Sequence, residues 1–271
     1  MSRPPPAASR FDHDLFRVSS GAEVLVTLRA LESFYTRSGD RRAIFCSAYV
    51  EMTAAILAHQ GRAFFLDDAW MDRLTVAFAR RYFEALVLWD RGQRGALPEV
   101  WRRAFEAPPE LPVLNHLLLG MTAHILRDLP LALAEVLPRE DREPCRRDFL
   151  ELIHVVHEAI DPIQDRVATR YAPGLLLLDR LFLRADEWGT LASVWFHRHL
   201  SFHEATRLQD AVDPAPYRRR IEGRAALAAA LLLRLPPTRC ARRALARIEQ
   251  EDPRSWPLVG PVFSALFLRL A

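Results

Sequence analysis

The sequence contains no lysine, and all 37 of its basic residues are arginine. Asparagine occurs once, at Asn115, whereas alanine, arginine, leucine and proline are abundant. This bias is typical of a GC-rich gene, which is a better explanation than 37 separate needs for a bidentate guanidinium. The formal charge of +3 over 271 residues does not require a nucleic-acid partner, and we expect none.

Cysteine is scarce, and long apolar runs are missing. Cys46, Cys145 and Cys240 are widely spaced and form no CxxC pair, which argues against a disulfide framework and against a thiolate zinc site. The first residues lack the apolar core of a signal peptide. No uninterrupted apolar run approaches the roughly 20 residues of a membrane span. We therefore expect a cytoplasmic protein.

Familiar catalytic motifs are also missing. No GxSxG, P-loop or GxGxxG occurs, which disfavours nucleophile-elbow hydrolases and nucleotide-binding loops. The stretch that begins with His203 and Glu204 continues as HEATR rather than HExxH, so the metalloprotease motif is not present. His199 and His203 lie one helical turn apart, but a two-histidine pair alone is a weak metal signal.

The fold class follows from weak strand signals and strong helical spacing. Glycine is limited to 10 residues, and no Asn-Gly or Asp-Gly hairpin turn occurs. We predict an all-α protein, a compact multi-helix bundle around a buried central helix at 112–128 that is flanked by 42–59, 67–91 and 145–171. The predicted helices span residues 21–36, 42–59, 67–91, 98–106, 112–128, 145–171, 174–183, 185–210, 216–235, 238–250 and 257–270.

The predicted domain organisation has three parts. Residues 1–20 form a flexible leader, residues 21–210 form the helical core, and residues 211–271 form a C-terminal helical segment packed on that core. Because a proline lacks the backbone donor of a helix interior, we expect Pro130 to end the central helix. For the same reason, Pro162 should kink or split the helix at 145–171.

The central segment NHLLLGMTAHILRDLP carries the best candidate site residues, His116, His124 and Asp128. Buried titratable groups cost free energy unless something pairs or ligates them. His124 and Asp128 are one turn apart and could share one metal ion or one proton. His116 lies about 12 Å earlier along the axis. Gly120 leaves a gap that a ligand or another helix could enter. The alternative is a satisfied core in which His124 simply bonds to Asp128.

A second polar cluster lies in ELIHVVHEAIDPIQD, where His157 and Asp161 repeat the same four-residue spacing. His154, Glu158 and Asp165 fall on the same third of the helix circumference. Together with His124 and Asp128, this pair predicts a two-helix metal site for zinc, iron or manganese. The alternative is a solvated polar face.

The segment 217–248 carries nine arginines against one acidic residue, Glu222. A basic amphipathic helix can lie on anionic lipid. A helix that packs on the core and exposes its arginines is the better interpretation, so peripheral membrane contact stays open but disfavoured. No aromatic residues interleave these arginines in a way that favours single-stranded nucleic acid.

Several blocks resemble a bacterial all-helical family that is catalogued only as a domain of unknown function. They are GDRRAIFCSAYVEMT, FLDDAWMDRLTVAFARRYFEAL, LPEVWRRAF and HLLLGMTAHILRDLP, with a fainter continuation through DFLELIHVVHEAIDPIQ. The resemblance covers roughly residues 21–210, and it matches His116, Gly120, His124 and Asp128. It implies a helical fold and a site, and no established activity.

The helix around Gly120, His124 and Asp128 is also similar, more loosely, to the zinc-binding helix of helical phospholipase C and nuclease enzymes. Pro130 comes one residue early for that pattern, and their N-terminal tryptophan ligand has no counterpart here. This similarity is an analogy at the level of one helix.

Three functions remain open from the sequence. The first is a metal-dependent helical enzyme, in which a metal-bound water acts as nucleophile or iron activates oxygen, and phosphoester hydrolysis is weakly favoured. The second is a metal-free enzyme or small-molecule binding protein of secondary metabolism. In it, His116, His124 and Asp128 line a pocket beside Gly120 with Tyr49, Tyr82 or Phe78 in its wall, and His124 is the catalytic base. The third is a non-catalytic helical scaffold whose buried polar groups specify helix register.

Overall fold

The computed structural model describes residues 11–174, 187–236 and 238–250, with the backbone alone for residues 187–195 and 239. A short 3₁₀ helix, His13–Phe16, precedes the first α-helix. The α-helices are α1 Gly21–Ser38, α2 Arg42–His59, α3 Asp68–Asp90, α4 Glu99–Phe105, α5 Val113–Ala123, α6 Leu129–Val136, α7 Glu143–Tyr171, α8 Glu187–Asp210, α9 Ala215–Leu232 and α10 Arg239–Gln250. A five-residue π segment, His124–Asp128, joins α5 to α6. Within these ranges no strand occurs, so the all-α prediction is confirmed. The helices predicted at 174–183 and 257–270 lie almost wholly outside the described residues.

Side chains that accept backbone hydrogen bonds set several helix ends. The Ser20 hydroxyl accepts from the Glu23 amide at the start of α1, and the Asp67 carboxylate accepts from the Trp70 amide at 2.8 Å at the start of α3. Gly39 ends α1 with φ of 67°, a left-handed conformation that glycine adopts without strain. These local signals explain why the predicted boundaries of α1, α2 and α3 agree with the structure to within two residues.

The central helix is buried, as predicted. α5, the π segment and α6 form one continuous rod from Val113 to Val136. No residue from 111 to 134 is exposed, because α2, α3, α4 and α9 pack around the rod and α8 covers α6. We expected the helix at 145–171 to flank the rod. The corresponding helix, α7, instead packs chiefly against α2.

Pro130 does not end the central helix, contrary to the prediction. A proline at this position cannot donate to the carbonyl of Leu126, four residues earlier. The π segment widens the helix just before Pro130, and the Leu126 carbonyl accepts a hydrogen bond from Arg224 Nη2 at 3.3 Å. An arginine of α9 thus satisfies the acceptor that the proline leaves open. Pro162 likewise lies inside α7, which runs unbroken to Tyr171.

Gly120 allows α2 to approach α5 closely. A Cβ atom at Gly120 would lie 2.4 Å from Cγ of Phe45, a distance that real side chains do not tolerate. The gap predicted at Gly120 is therefore filled by another helix, through the Phe45 ring.

A buried ion pair attaches α7 to the first two helices. Glu32 of α1 is 3% exposed and accepts from Arg166 Nε at 2.9 Å and Nη2 at 2.6 Å. Ser47 of α2 donates to the same carboxylate. Burial opposes ionisation of Glu32, but the bonds from Arg166 and Ser47 outweigh it, and the pKa of Glu32 is lowered. Arg166 therefore fixes which face of α7 points into the bundle.

The C-terminal helices pack against the same rod. Asn115 of α5 donates to the carbonyl oxygens of Leu232 and Leu235 at 2.9 and 2.8 Å. Glu249 of α10 is 1% exposed and accepts from the amides of Val113 and Leu114 at 2.8 and 3.0 Å. A carboxylate at the first turn of α5 satisfies amides that have no partner within the helix.

The chain before α1 also packs on the core within its described part. Phe11, Phe16 and Val18 are buried, and His13 bonds to Asp90 at 3.1 Å. The predicted flexible leader of residues 1–20 therefore extends too far, and residues 1–10 lie outside the described ranges.

Within the described ranges, the rod Val113–Val136 is the helix that is long and apolar enough to cross a membrane, with a mean hydropathy of 1.4. Only its length and composition support that interpretation, and 56% of the relevant window is buried inside the protein. Buried core helices share these properties.

Candidate functional site

His124 and Asp128 form the buried pair that their spacing predicts. Nδ1 of His124 lies 3.1 Å from Oδ2 of Asp128, and the two side chains are 3% and 0% exposed. Because the carboxylate accepts, Nδ1 carries the proton and Nε2 is the bare nitrogen of the neutral ring. Both residues belong to the π segment, a helix distortion that often occurs at functional sites.

Asp128 is held by three donors. Trp101 Nε1 of α4 donates to Oδ2 at 2.9 Å, alongside His124, and Arg127 Nη1 donates to Oδ1 at 2.7 Å. A fully buried carboxylate is tolerated only when it is paired and hydrogen-bonded in this way. Both oxygens of the carboxylate are thus engaged by this chain's own side chains.

Aromatic rings enclose His124. Phe78 stacks on the imidazole with centroids 3.5 Å apart and planes 9° apart, and Tyr49 meets it edge-on at 4.6 Å. Further rings lie within about 6 Å, namely Phe45, Tyr82 and Trp101. Burial lowers the pKa of His124 although Asp128 opposes the shift. Nε2 of His124 and the hydroxyl of Tyr49 have no hydrogen-bond partner in the described part of the chain.

His116 occupies a different environment from His124. It is 7% exposed, and its Nε2 is buried without a partner among the described residues. Burial disfavours the protonated ring more strongly than the nearby carbonyl of Pro108 favours it. Burial, together with the charge of Arg41, lowers the pKa of His116 to about 4. The ring is therefore neutral near pH 7, and its Nε2 accepts or donates a hydrogen bond according to the tautomer.

His116 and Gly120 line a small cavity between α2, α3, α4 and α5, with a volume of about 40 Å³. Its apolar wall includes Phe45, Tyr82, Trp101 and Ala104. Because a buried water needs at least about 10–15 Å³ on this measure, the cavity has room for about three waters or a few ligand atoms. This cavity agrees with the predicted pocket beside Gly120 in its residues His116 and Tyr82, but it is partly open, and His124 and Asp128 do not line it.

Two arginines and one carboxylate lie at this cavity. Arg42 is saturated, because Asp40 accepts from it through both oxygens and Asp90 accepts from Nη1 at 3.2 Å. Arg41 is exposed and makes no ion pair or side-chain hydrogen bond in the ranges that the structure describes. Among the described residues that line the cavity, Arg41 is therefore the cation that remains available to a ligand.

The predicted two-helix metal site is wrong. His157 and Asp161 are exposed, whereas His124 and Asp128 are buried. The physical reason lies in α7, where Arg166 points into the bundle. At 3.6 residues per turn, His157 and Asp161 lie about 180° and 140° around the helix from it. Across the described residues, no group of three or more histidine, cysteine, aspartate or glutamate side chains could hold a metal ion.

The other polar residues of that face have surface roles. His154 lies 3.5 Å from Glu151, and Glu158 pairs with His59 of α2 at 3.2 Å. The solvated-face alternative therefore describes α7 correctly.

The histidine cluster near His203 and the basic segment 217–248 show structural contacts and solvent-exposed side chains. His203 is exposed, and its neighbour Glu204 forms an ion pair with Arg224 of α9. Arg218, Arg219 and Arg220 are exposed, which agrees with a core-packing helix that has a solvated arginine face.

Sequence reasoning missed the residues that complete the site. Trp101 and Arg127 hold Asp128, and Arg41 provides the available cation. The adjacency of Arg127 to Asp128 was visible in the sequence, but adjacent residues of an ideal helix do not face each other. Only the fold brings Trp101 and Arg41 to the central helix.

The comparisons with known proteins identify a family and no relative of known activity. A family model described as a family of unknown function, DUF5995, matches residues 22–235. No curated protein matches the chain, and no solved structure matches it. The looser similarity to helical zinc enzymes gains no support from these comparisons. The match covers the central helix, the cavity and most of the described helices, and the chain belongs to the DUF5995 family.

Proposed function

We propose that this protein binds a small molecule in the cavity beside Gly120 and that His116 is its polar contact. The observation that carries the proposal is the buried Nε2 of His116, which has no partner among the described residues and belongs to a residue that lines the cavity. A buried polar atom without a partner is costly, so a ligand that supplies a hydrogen bond gains affinity at this point. The proposal corresponds to the metal-free alternative from the sequence, with His116 in place of His124 as the contact residue.

The apolar wall and the His124–Asp128 pair have complementary roles in this proposal. Small-molecule sites are mostly apolar, with a few convergent polar groups. Trp101 forms part of the wall, and its Nε1 is fixed by Asp128. The His124–Asp128 pair thus positions the wall from behind and does not contact the ligand.

The neutral state of His116 also permits proton transfer. Because the ring is neutral near pH 7, it can accept a proton from an acidic ligand group beside it. The same geometry would serve a binding protein or an enzyme. Ligand binding is the function that the cavity supports directly, and catalysis would require binding as its first step.

A fragment screen by ligand-observed NMR tests the proposal. Ala104 lines the cavity, so Ala104→Leu should fill it and abolish binding of fragments that bind the unmodified protein. Ala58→Leu is the control, because Ala58 is exposed on α2. Binding that survives Ala104→Leu, or the absence of any binding fragment, would contradict the proposal.

A further inference from the structure

The cavity contains two groups that demand different ligand chemistry. His116 Nε2 is buried without a partner among the described residues. A hydroxyl group of the ligand can bond to this nitrogen in either tautomer of the neutral ring, because a hydroxyl both donates and accepts. Arg41, in contrast, offers guanidinium donors and a positive charge, and it needs an anionic acceptor.

The charges around the cavity select against a cationic ligand. Asp40 is the carboxylate among the lining residues, and Arg42 engages both of its oxygens. Glu249 lies within the electrostatic range of Arg41, but its oxygens accept from the amides of Val113 and Leu114. An ammonium group entering the cavity would therefore meet cations without a free carboxylate among the lining residues to pair with it.

The size of the cavity limits the ligand further. A volume of about 40 Å³ accepts a short hydroxyalkyl group, while the exposed position of Arg41 leaves the anionic end at the mouth. The apolar wall of Phe45 and Ala104 suits the carbon atoms between the two polar ends.

From this arrangement we infer that the ligand is a small hydroxy acid, whose hydroxyl bonds to His116 Nε2 and whose carboxylate pairs with Arg41. The inference rests on the proposed function, because it specifies the ligand class of the same cavity. It assigns Arg41 and His116 separate contributions, so each can be removed independently.

A matched set of three-carbon probes separates these contributions. Lactate carries both the carboxylate and the hydroxyl, propionate lacks the hydroxyl, 1,2-propanediol lacks the carboxylate, and alanine replaces the hydroxyl with an ammonium group. Dissociation constants are measured by NMR titration of the full chain, with the ¹⁵N shift of His116 as the site-specific signal. We expect lactate to bind most tightly, and alanine to bind more weakly than propionate.

Variants then test each contact. Arg41→Met should weaken lactate and propionate about tenfold, as the loss of a charge-assisted bond does, and should leave 1,2-propanediol unchanged. His116→Phe, followed through the backbone amide signal of Gly120 at the same cavity, should remove the advantage of lactate over propionate. Arg62→Met is the matched control, because Arg62 is exposed in the turn after α2.

The outcomes distinguish the inference from the proposed function. If screened fragments bind in the cavity but 1,2-propanediol or alanine binds as tightly as lactate, the hydroxy-acid assignment is overturned while the binding site stands. An Arg41→Met protein with unchanged lactate affinity overturns the assignment in the same way. If no probe and no fragment shifts the His116 signal, the proposed function fails and this inference fails with it.

Discussion

Arg224 donates to the carbonyl oxygen of Leu126 at 3.3 Å, in the turn where Pro130 has no amide hydrogen to offer. The same guanidinium pairs with Glu204 of α8, whose oxygen Oε2 accepts at 2.7 Å. One side chain of the basic C-terminal segment therefore completes the central helix and connects three helices. The sequence does not distinguish Arg224 from the many other arginines, but the structure gives it a specific role in completing the central helix.

Replacing this arginine should destabilise the protein in a way that depends on Pro130. Arg224→Met leaves Glu204 and the Leu126 carbonyl without their partner, so the free energy of unfolding should fall by about 2 kcal/mol in urea denaturation. In a Pro130→Ala background, the restored amide can donate to Leu126, and the cost should drop by about 1 kcal/mol. Arg219→Met, on the exposed face of α9, is the control. Strict additivity of the two substitutions would count against the proposed role of Arg224.

A methyl group at Gly120 should be far more costly than one at Gly223. Gly120→Ala forces its Cβ against the Phe45 ring, so we expect a loss of about 3 kcal/mol in the free energy of unfolding. Nothing lies within 4 Å of a Cβ at Gly223 in α9, and Gly223→Ala should stabilise by up to about 1 kcal/mol through helix propensity. In a Phe45→Ala background the penalty at Gly120 should largely vanish. Equal effects at the two glycines would refute the close approach of α2 and α5.

Replacing Asp128 should show how much its buried carboxylate contributes to the stability of the protein. Asp128→Ala leaves the donors of Trp101, Arg127 and His124 without an acceptor, and we expect the free energy of unfolding to fall by about 3–5 kcal/mol. Asp161→Ala, at an exposed position of α7, should change it by less than about 0.5 kcal/mol. Chemical denaturation measures both. A stable Asp128→Ala protein would mean that the carboxylate is retained for function and not for folding.

Stability should fall as the pH drops from about 6.5 to about 4, and His116 should account for part of that loss. In the unfolded chain this histidine takes up a proton below about 6.5, whereas its pKa in the folded protein is about 4. The unfolded state thus binds more protons across this window, so the free energy of unfolding rises with pH there. The contribution of His116 is on the order of 2–3 kcal/mol.

The measurement compares urea denaturation at pH 4.5 and pH 7 for the unmodified protein and for His116→Phe. The variant should show a smaller difference between the two pH values. His157→Gln, at an exposed position on α7, serves as the control. A His116→Phe protein with the full pH dependence would show that the histidine is not buried in its neutral form.

The fold class could be predicted because helix formation depends largely on residues that are close together in the sequence. Apolar spacing marks each helix face, and residues such as Asp67 and Gly39 mark the ends. The buried state of the central helix also followed from its all-round apolar surface. The continuation past Pro130 could not be predicted, because Arg224, 98 residues from Leu126, supplies the missing bond.

The candidate site was predictable only in part for a similar reason. The bond between His124 and Asp128 is local and follows from their spacing. The direction of His157 and Asp161 is set by Arg166 and its buried partner Glu32, which lies 134 residues away. A polar stripe by itself does not tell which side of a helix faces the bundle, so the metal site predicted from it was wrong.

The contact between Glu249 and Val113 has a consequence for how the chain folds during synthesis. The two residues are separated by 136 positions, and the carboxylate is the cap of the first turn of the central helix. A ribosome releases Val113 long before it reaches Glu249, so this turn must wait uncapped while α6 to α9 are made. Closing a contact of such long range costs conformational entropy before the contact contributes stability. We therefore expect the start of the central helix to be fixed late in folding, after the helices that surround it, and late hydrogen-exchange protection of the Val113 amide during refolding would show this.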